Sequence, residues 1–237
     1  MSLDTLRETF KQFLHFYKQT HTDFDLKIND PLFTWEDGYK GADTEDPPKI
    51  FYHPTSFNEG HQGQTKLHIL EKQAVTPGSF PGWTVHLLQP SNPQDLEQNI
   101  PKGIAFIPRQ GQGKIQGEET SRPDLEANKT PTEYLSTLQE AQNNPNSPYF
   151  QESGLTPEDW IIAFMTHLTE TGQPLDNYGS GKESMTYLIG AFFPSINGFA
   201  CVSYASCSRG DPQVVLYWDN DLHRRDEDIG ARSSVIV

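Results

Sequence analysis

The chain has 237 residues, with 18 basic against 32 acidic side chains and a formal net charge of −14. Such a balance repels nucleic-acid phosphates and anionic membrane surfaces, and it is compatible with a basic protein partner. No apolar run reaches the ~18 residues needed to span a bilayer, and Met1-Ser2-Leu3-Asp4 lacks the basic and apolar regions of a secretory leader; a soluble, cytoplasmic protein is expected.

The first element is a helix over residues 3–19. Leu3, Leu6, Phe10, Phe13, Leu14 and Tyr17 recur at helical spacing, with Arg7, Glu8, Lys11 and Gln12 on the polar side. From Thr20 to about residue 63 the turn signals Asp30-Pro31, Asp37-Gly38 and Asp46-Pro47-Pro48 dominate. Phe24, Phe33, Trp35, Tyr39, Phe51, Tyr52 and Phe57 are scattered among them, which suits an ordered, loop-rich layer, because disordered segments are poor in aromatics. Thr65–Leu70 and Trp83–Leu88 alternate like strands, and Gly103–Pro108 reads as a third. Gln110–Arg122 is polar and glycine-rich, as in an exposed loop. Thr130-Pro131-Thr132-Glu133 then starts a second helix with a capping box, followed by Tyr134, Leu135 and Leu138.

Leu155 to Val237 holds the densest apolar pattern. Thr156 caps a helix over 157–170, Pro157 suits its first position, Glu158 and Asp159 put negative charge at the positive end of its dipole, and Trp160, Ile161, Phe164, Met165 and Leu168 form its stripe. Met185–Phe193 is apolar throughout, as in a strand covered on both faces. After a turn at Pro194–Gly198, Phe199–Cys207 alternates: Phe199, Cys201, Ser203 and Ala205 face one way, Ala200, Val202 and Tyr204 the other. Val214–Trp218 and Ser233–Val237 complete the set, and the short connections imply an antiparallel meander. The expected fold is α+β: an antiparallel sheet of five to seven strands carrying three helices, in one domain over 1–237. Residues 1–64 would form a helix plus the loop-rich layer, and 65–237 the sheet and remaining helices.

Several residue groups invite a chemical reading. Gly111-Gln112-Gly113-Lys114 resembles a phosphate loop, but Pro108 and Ile115 stand where a glycine and a hydroxyl residue belong. Asp219, Asp221, Asp226 and Asp228 follow a strand end and could gather a hard cation. His223 and Arg224 break the calcium-loop pattern there, and Arg224, Arg225 and Arg232 would neutralise the carboxylates instead. His53, Glu59 and His61 are zinc-ligand types at no recognisable spacing. His68 and His86 would project from one sheet face if their strands were adjacent, giving a pair that titrates near neutrality.

Cys201 and Cys207, six residues apart on one strand, would stand ~20 Å apart, too far for a disulfide. They are expected as reduced, buried thiols; Cys207 would be a nucleophile only beside a base or a positive charge. Arg209-Gly210-Asp211 reads as a hairpin turn and Asn128-Lys129-Thr130 as an unused glycosylation pattern. No cofactor motif is present. The balance favours a non-catalytic binding or regulatory protein. The alternative is an enzyme of unrecognised type, a hydrolase built on a His–carboxylate site.

Overall fold

The computed structural model describes residues 1–27, 29–58, 63–76, 86–87, 103–107, 109, 123–196, 199–208, 212–219 and 221–236. Helix α1 (Leu3–Thr20) begins where the Ser2 side chain accepts the Thr5 amide, and it buries Leu3, Leu6, Phe10, Leu14 and Tyr17. Short elements follow in the loop-rich layer: β1 (Leu32–Thr34), α2 (Glu36–Tyr39) and β2 (Phe51–Tyr52). Next come α3 (Lys66–Val75), β3 (His86–Leu87) and α4 (Pro131–Ala141), the last opened by the Thr130–Glu133 capping box. Strand β4 (Glu152–Gly154) leads into α5 (Pro157–Thr171), which starts on a Thr156–Asp159 capping box and stops at Gly172. Gly172 has φ +72°, the left-handed conformation that ends a helix at low cost for a residue without Cβ. The remaining strands are β5 (Met185–Tyr187), β6 (Ala191–Ile196), β7 (Phe199–Ser208), β8 (Gln213–Asp219), β9 (Ile229–Ala231) and β10 (Ser233–Ile236).

Among the described residues seven strands form the main sheet, in the order β1-β8-β7-β5-β9, with β6 on β7 and β2 on β6. The alternation of β7 sorts its side chains between two cores. Cys201, Ala205 and Cys207 join Phe10, Trp160 and Phe164 of α1 and α5 on one face. Val202 joins Tyr187, Phe192 and Tyr134 of α4 on the other. The sheet is thus covered on both sides. In the first core the Phe10 ring stands edge-on to Phe164 at 5.3 Å and to Trp160 at 6.3 Å. Such aromatic contacts add to the area that the rings remove from water.

A second sheet, β3-β10-β4, is antiparallel. It joins the first at Gly154 and Gly190. A Cβ built on Gly190 would lie 2.1 Å from the Gly154 carbonyl oxygen, and one on Gly154 would lie 2.3 Å from Ile189 Cγ1. The Gly190 amide donates to the Leu155 carbonyl at 2.9 Å. Only glycine permits the two backbones this approach.

Several expectations are corrected. The main sheet is mixed rather than antiparallel, because β1 runs parallel to β8 and β5 parallel to β9. Short loops constrain only consecutive strands, and each of these pairs is separated by a long excursion of chain. Five α-helices occur among the described residues instead of three. Thr65–Leu70 belongs to a helix: the Thr65 hydroxyl caps it, and good helix formers continue it to Val75. Met185–Phe193 is two strands broken at Leu188–Gly190, and β6 runs through Pro194 to Ile196, where a turn was expected. Residues 103–107 form no strand. Of Trp83–Leu88 only His86 and Leu87 are described, as a strand; Gln110–Arg122 lies outside the described residues.

Candidate functional site

The N-termini of α1 and α5 converge on a cluster of charged side chains. Asp43, in the loop after α2, accepts through Oδ2 both the Leu3 amide at 2.8 Å and the Lys66 ammonium at 2.6 Å. Lys66 opens α3, and its Nζ also reaches Glu158 Oε1 at 2.7 Å. The Tyr52 hydroxyl donates to that same Oε1 at 2.7 Å, and Lys66 Nζ lies 5.6 Å from the Tyr52 ring centroid. The Asp43 side chain is fully buried, while Glu158 keeps 16% and Lys66 21% of their side-chain surface. Asp43 Oδ1 and Glu158 Oε2 are buried with no hydrogen-bond partner. Burial alone would lower the Lys66 pKa, but Glu158 and Asp43 outweigh it and raise it. Burial, reinforced by Glu158, raises the Tyr52 hydroxyl well above the usual phenol value.

Asp159 stands beside this cluster. Its Oδ2 accepts the Thr156 amide at 2.9 Å and the Thr156 hydroxyl at 2.8 Å, closing the cap of α5. Burial pushes its carboxyl up to about 6, with Glu158 adding to the rise, while the Thr156 hydrogen bonds and His53 oppose it. His53 is half-buried, with φ 49°, and its amide donates to the Gly190 carbonyl at 2.7 Å.

Tyr52, His53, Lys66, Glu158 and Asp159 form the polar end of a groove of about 340 Å³ between α1, α3 and α5; Asp43 lies behind Lys66 and is not part of its lining. Its apolar walls include Leu6, Ile69, Leu70, Ile162 and Met165. A volume in this range, with mostly apolar walls and a few convergent polar groups, is typical of a ligand pocket. Helix α3 contributes no fully buried side chain, and Leu67, Leu70 and Val75 are 65%, 36% and 80% exposed. Ile162 of α5 is 44% exposed.

Of the residues singled out from sequence as site candidates, His53 lies at this groove, whereas His68, the two cysteines and the acidic loop do not line it. His68 is exposed on α3, where its amide donates to the Thr65 hydroxyl. His86 lies in β3, which pairs with β10, so the two histidines do not occupy adjacent strands. Cys201 and Cys207 are free and buried. Burial pushes both thiols up to about 12; Asp219 adds to the shift at Cys201, and Asp25 and Glu183 add to it at Cys207. That is the opposite of an activated nucleophile.

The acidic loop is spread out. Asp219 Oδ2 accepts the Tyr187 hydroxyl at 3.1 Å, and Asp228 Oδ2 accepts the Tyr178 hydroxyl at 3.0 Å. Asp221 Oδ1 accepts the His223 amide at 3.2 Å. Arg224 reaches Asp226 at 3.6 Å, but Arg225 turns to Glu133 and Arg232 into the interior. Arg109, at 3.7 Å from Asp228, serves where the other arginines do not. Among the described residues no three His, Cys, Asp or Glu side chains converge to hold a metal. Glu59 and His61 lie outside the described residues.

Sequence reasoning noticed Glu158 and Asp159 only as favourable charges at a helix start. It missed Asp43, Tyr52 and Lys66 as partners, since no local signal links residues that meet only through the fold. The Thr156 cap is the one usable clue: it fixes the first turn of α5 and with it the place of Glu158. Comparison with known proteins yields no matching family model, no matching curated protein and no matching solved structure.

Proposed function

We propose that the chain is a non-catalytic binding or regulatory protein whose α1–α3–α5 groove takes an apolar segment of a basic protein partner. The observation that carries this reading is the exposure of Leu70 and Ile162 on opposing helices along one groove. Apolar side chains left in water around a concavity mark interaction sites more often than scattered single ones do. The net charge of −14 favours a basic partner and disfavours nucleic acid. No helix among the described residues is long and apolar enough to cross a membrane. Two free buried thiols suit a cytoplasmic setting. The groups nearest the groove are committed to structure: Lys66 to its carboxylates and Asp159 to the cap of α5.

The test is a labelled peptide with leucines on one helical face, glutamines on the other and a lysine at each end. Fluorescence anisotropy should show saturable binding to the native chain and much weaker binding to Ile162→Asp, a change at an exposed position that leaves the core intact. Equal binding to both proteins would remove the groove from consideration.

One observation favours a second reading, a hydrolase: the Asp159 carboxyl, pushed up to about 6, lies close enough to His53 to feel its charge. A group that titrates near neutrality is suited to general acid–base work. Hydrolysis of a small ester panel that is abolished by His53→Gln would move the reading to that class.

A further inference from the structure

We infer that the aromatic row Phe33–Tyr217–Tyr204, with the Asp219 carboxylate at its end, is a docking surface for an arginine-bearing segment of a protein partner. It is separate from the groove and stands without it. The row follows from strand register. Tyr187 of β5 lies opposite Tyr204 of β7, and Tyr204 lies opposite Tyr217 of β8. Phe33 of β1 lies opposite Val215, two residues before Tyr217. Partners in register point to one side of a sheet, as do residues two apart on a strand, so the four rings share a face. Ring centroids step across it at 6.5 Å from Tyr187 to Tyr204, 5.9 Å from Tyr204 to Tyr217 and 5.8 Å from Tyr217 to Phe33. The cover on this side stops short of the β1 edge. Tyr187 is buried beside Tyr134 of α4, Tyr204 and Tyr217 are partly exposed, and Phe33 is 41% exposed.

The same face carries negative charge. Asp219 follows Tyr217 by two residues on β8, is partly exposed, and accepts the Tyr187 hydroxyl through Oδ2 at 3.1 Å. Burial, reinforced by Asp219, raises the Tyr204 hydroxyl above the usual phenol value, so the carboxylate is felt along the row. Residues 219–228 hold five carboxylates against two arginines. Arg224 lies 3.6 Å from Asp226 and Arg225 is turned to Glu133, while Asp221 and Glu227 are exposed. Rings that reach solvent beside surplus negative charge favour a cation that can use both. A guanidinium is flat, stacks on aromatic rings, and carries a fork of donors that reaches a carboxylate at the ring's edge. An ammonium is a strongly hydrated point charge and gains less from the rings. Nucleobases would stack as well, but the net charge of −14 repels their phosphates. The incoming guanidinium would therefore lie over Tyr217 or Tyr204 with its fork towards Asp219.

The experiment uses a labelled glycine–serine peptide with three arginines and a copy with three lysines, which have equal charge. On the native chain the arginine peptide should bind about fivefold more tightly, as for one stacked guanidinium. Phe33→Thr and Tyr217→Thr, which keep a strand-forming residue, should each reduce that preference, whereas Ile162→Asp in the groove should leave it unchanged. Thermal melting checks that the variants are folded. A second measurement needs no variant: the aromatic NMR signals of Phe33 and Tyr217 in the native chain should move with the arginine peptide and far less with the lysine copy. Equal affinity for the two peptides overturns the inference, by leaving only the acidic surface as a whole. An arginine preference that persists in both threonine variants, or that Ile162→Asp removes, overturns it by placing the contact elsewhere. A proline-only peptide or an oligothymidylate that moves the two ring signals while the arginine peptide does not also overturns it, by giving the row a neutral or a nucleic-acid occupant.

Discussion

Arg232 and Asp176 form an ion pair in the interior, with Nη2 2.6 Å from Oδ1 and side chains that are 8% and 0% exposed. The pair is well satisfied. Asp176 Oδ2 also accepts the Trp160 indole N–H at 2.7 Å, and Arg232 Nη1 donates to the Ala105 carbonyl at 2.5 Å. It ties the segment before β10 to α5 and to residue 105. Asp176 has φ 52°, a conformation that asparagine also tolerates, so Asp176→Asn isolates the charge. The variant should lose about 3–5 kcal/mol, because it leaves a buried guanidinium without its counter-charge. Urea melts measure this; a loss below ~1 kcal/mol would mean that Arg232 finds another partner.

Trp160 is fully buried against Phe10 and Phe164 and donates to Asp176. Trp160→Ala should cost about 3–5 kcal/mol through the cavity it opens. Thr156→Ala, which removes only the cap of α5, should cost about 1 kcal/mol. If the two losses proved equal in chemical denaturation, Trp160 would not be the anchor of that helix.

The Asp159 carboxyl should titrate near 6 rather than at its ordinary 3.8, and carbon-detected NMR reads this directly. The sign of the stability effect follows. Folding favours the protonated acid, so the contribution of Asp159 is fully present below pH ~4 and is lost as pH rises through ~6. Asp159→Asn keeps a cap acceptor and does not titrate. Relative to that variant, the native chain should gain up to about 3 kcal/mol between pH 7 and pH 4. A gap between the two proteins that stays constant with pH would contradict the raised value.

Both thiols should resist labelling in the native protein and react after denaturation. Cys201 and Cys207 are buried, and burial holds each pKa at about 12, so almost no thiolate is present at neutral pH. Timed alkylation followed by mass spectrometry decides this; rapid native labelling of Cys207 would restore it as a reactive group.

The parts of the fold that were readable in sequence are those written in consecutive residues. Thr130-Pro131 and Thr156-Pro157 mark two helix starts, and each forms the capping box in the structure. The alternation of Phe199–Cys207 sorts β7 between two cores in the parity expected. Helix α3 was misread because six residues around Leu67 and Ile69 fit either period, and only Glu71-Lys72-Gln73-Ala74 decides for helix. The parallel pairing of β1 with β8 leaves no local trace, since Leu32 and Val214 meet only in the finished sheet. The same holds for the candidate site, where Asp43, Lys66 and Glu158 come from three separate stretches. The spacing of one histidine or one aspartate from another says nothing about such a meeting.

The back-to-back contact of Gly154 and Gly190 has a consequence for the groove. Gly154 leads through Leu155 into the first turn of α5, where Glu158 sits, and the Gly190 carbonyl holds the His53 amide. Both sides of the polar end therefore take their alignment from one seam that has no slack. A methyl group at either glycine would act on the groove from a distance, tilting Glu158 against His53 without touching anything bound there. In a saturation-mutagenesis map these two positions would look like binding residues, although neither lines the groove, and they would need to be read as its alignment datum.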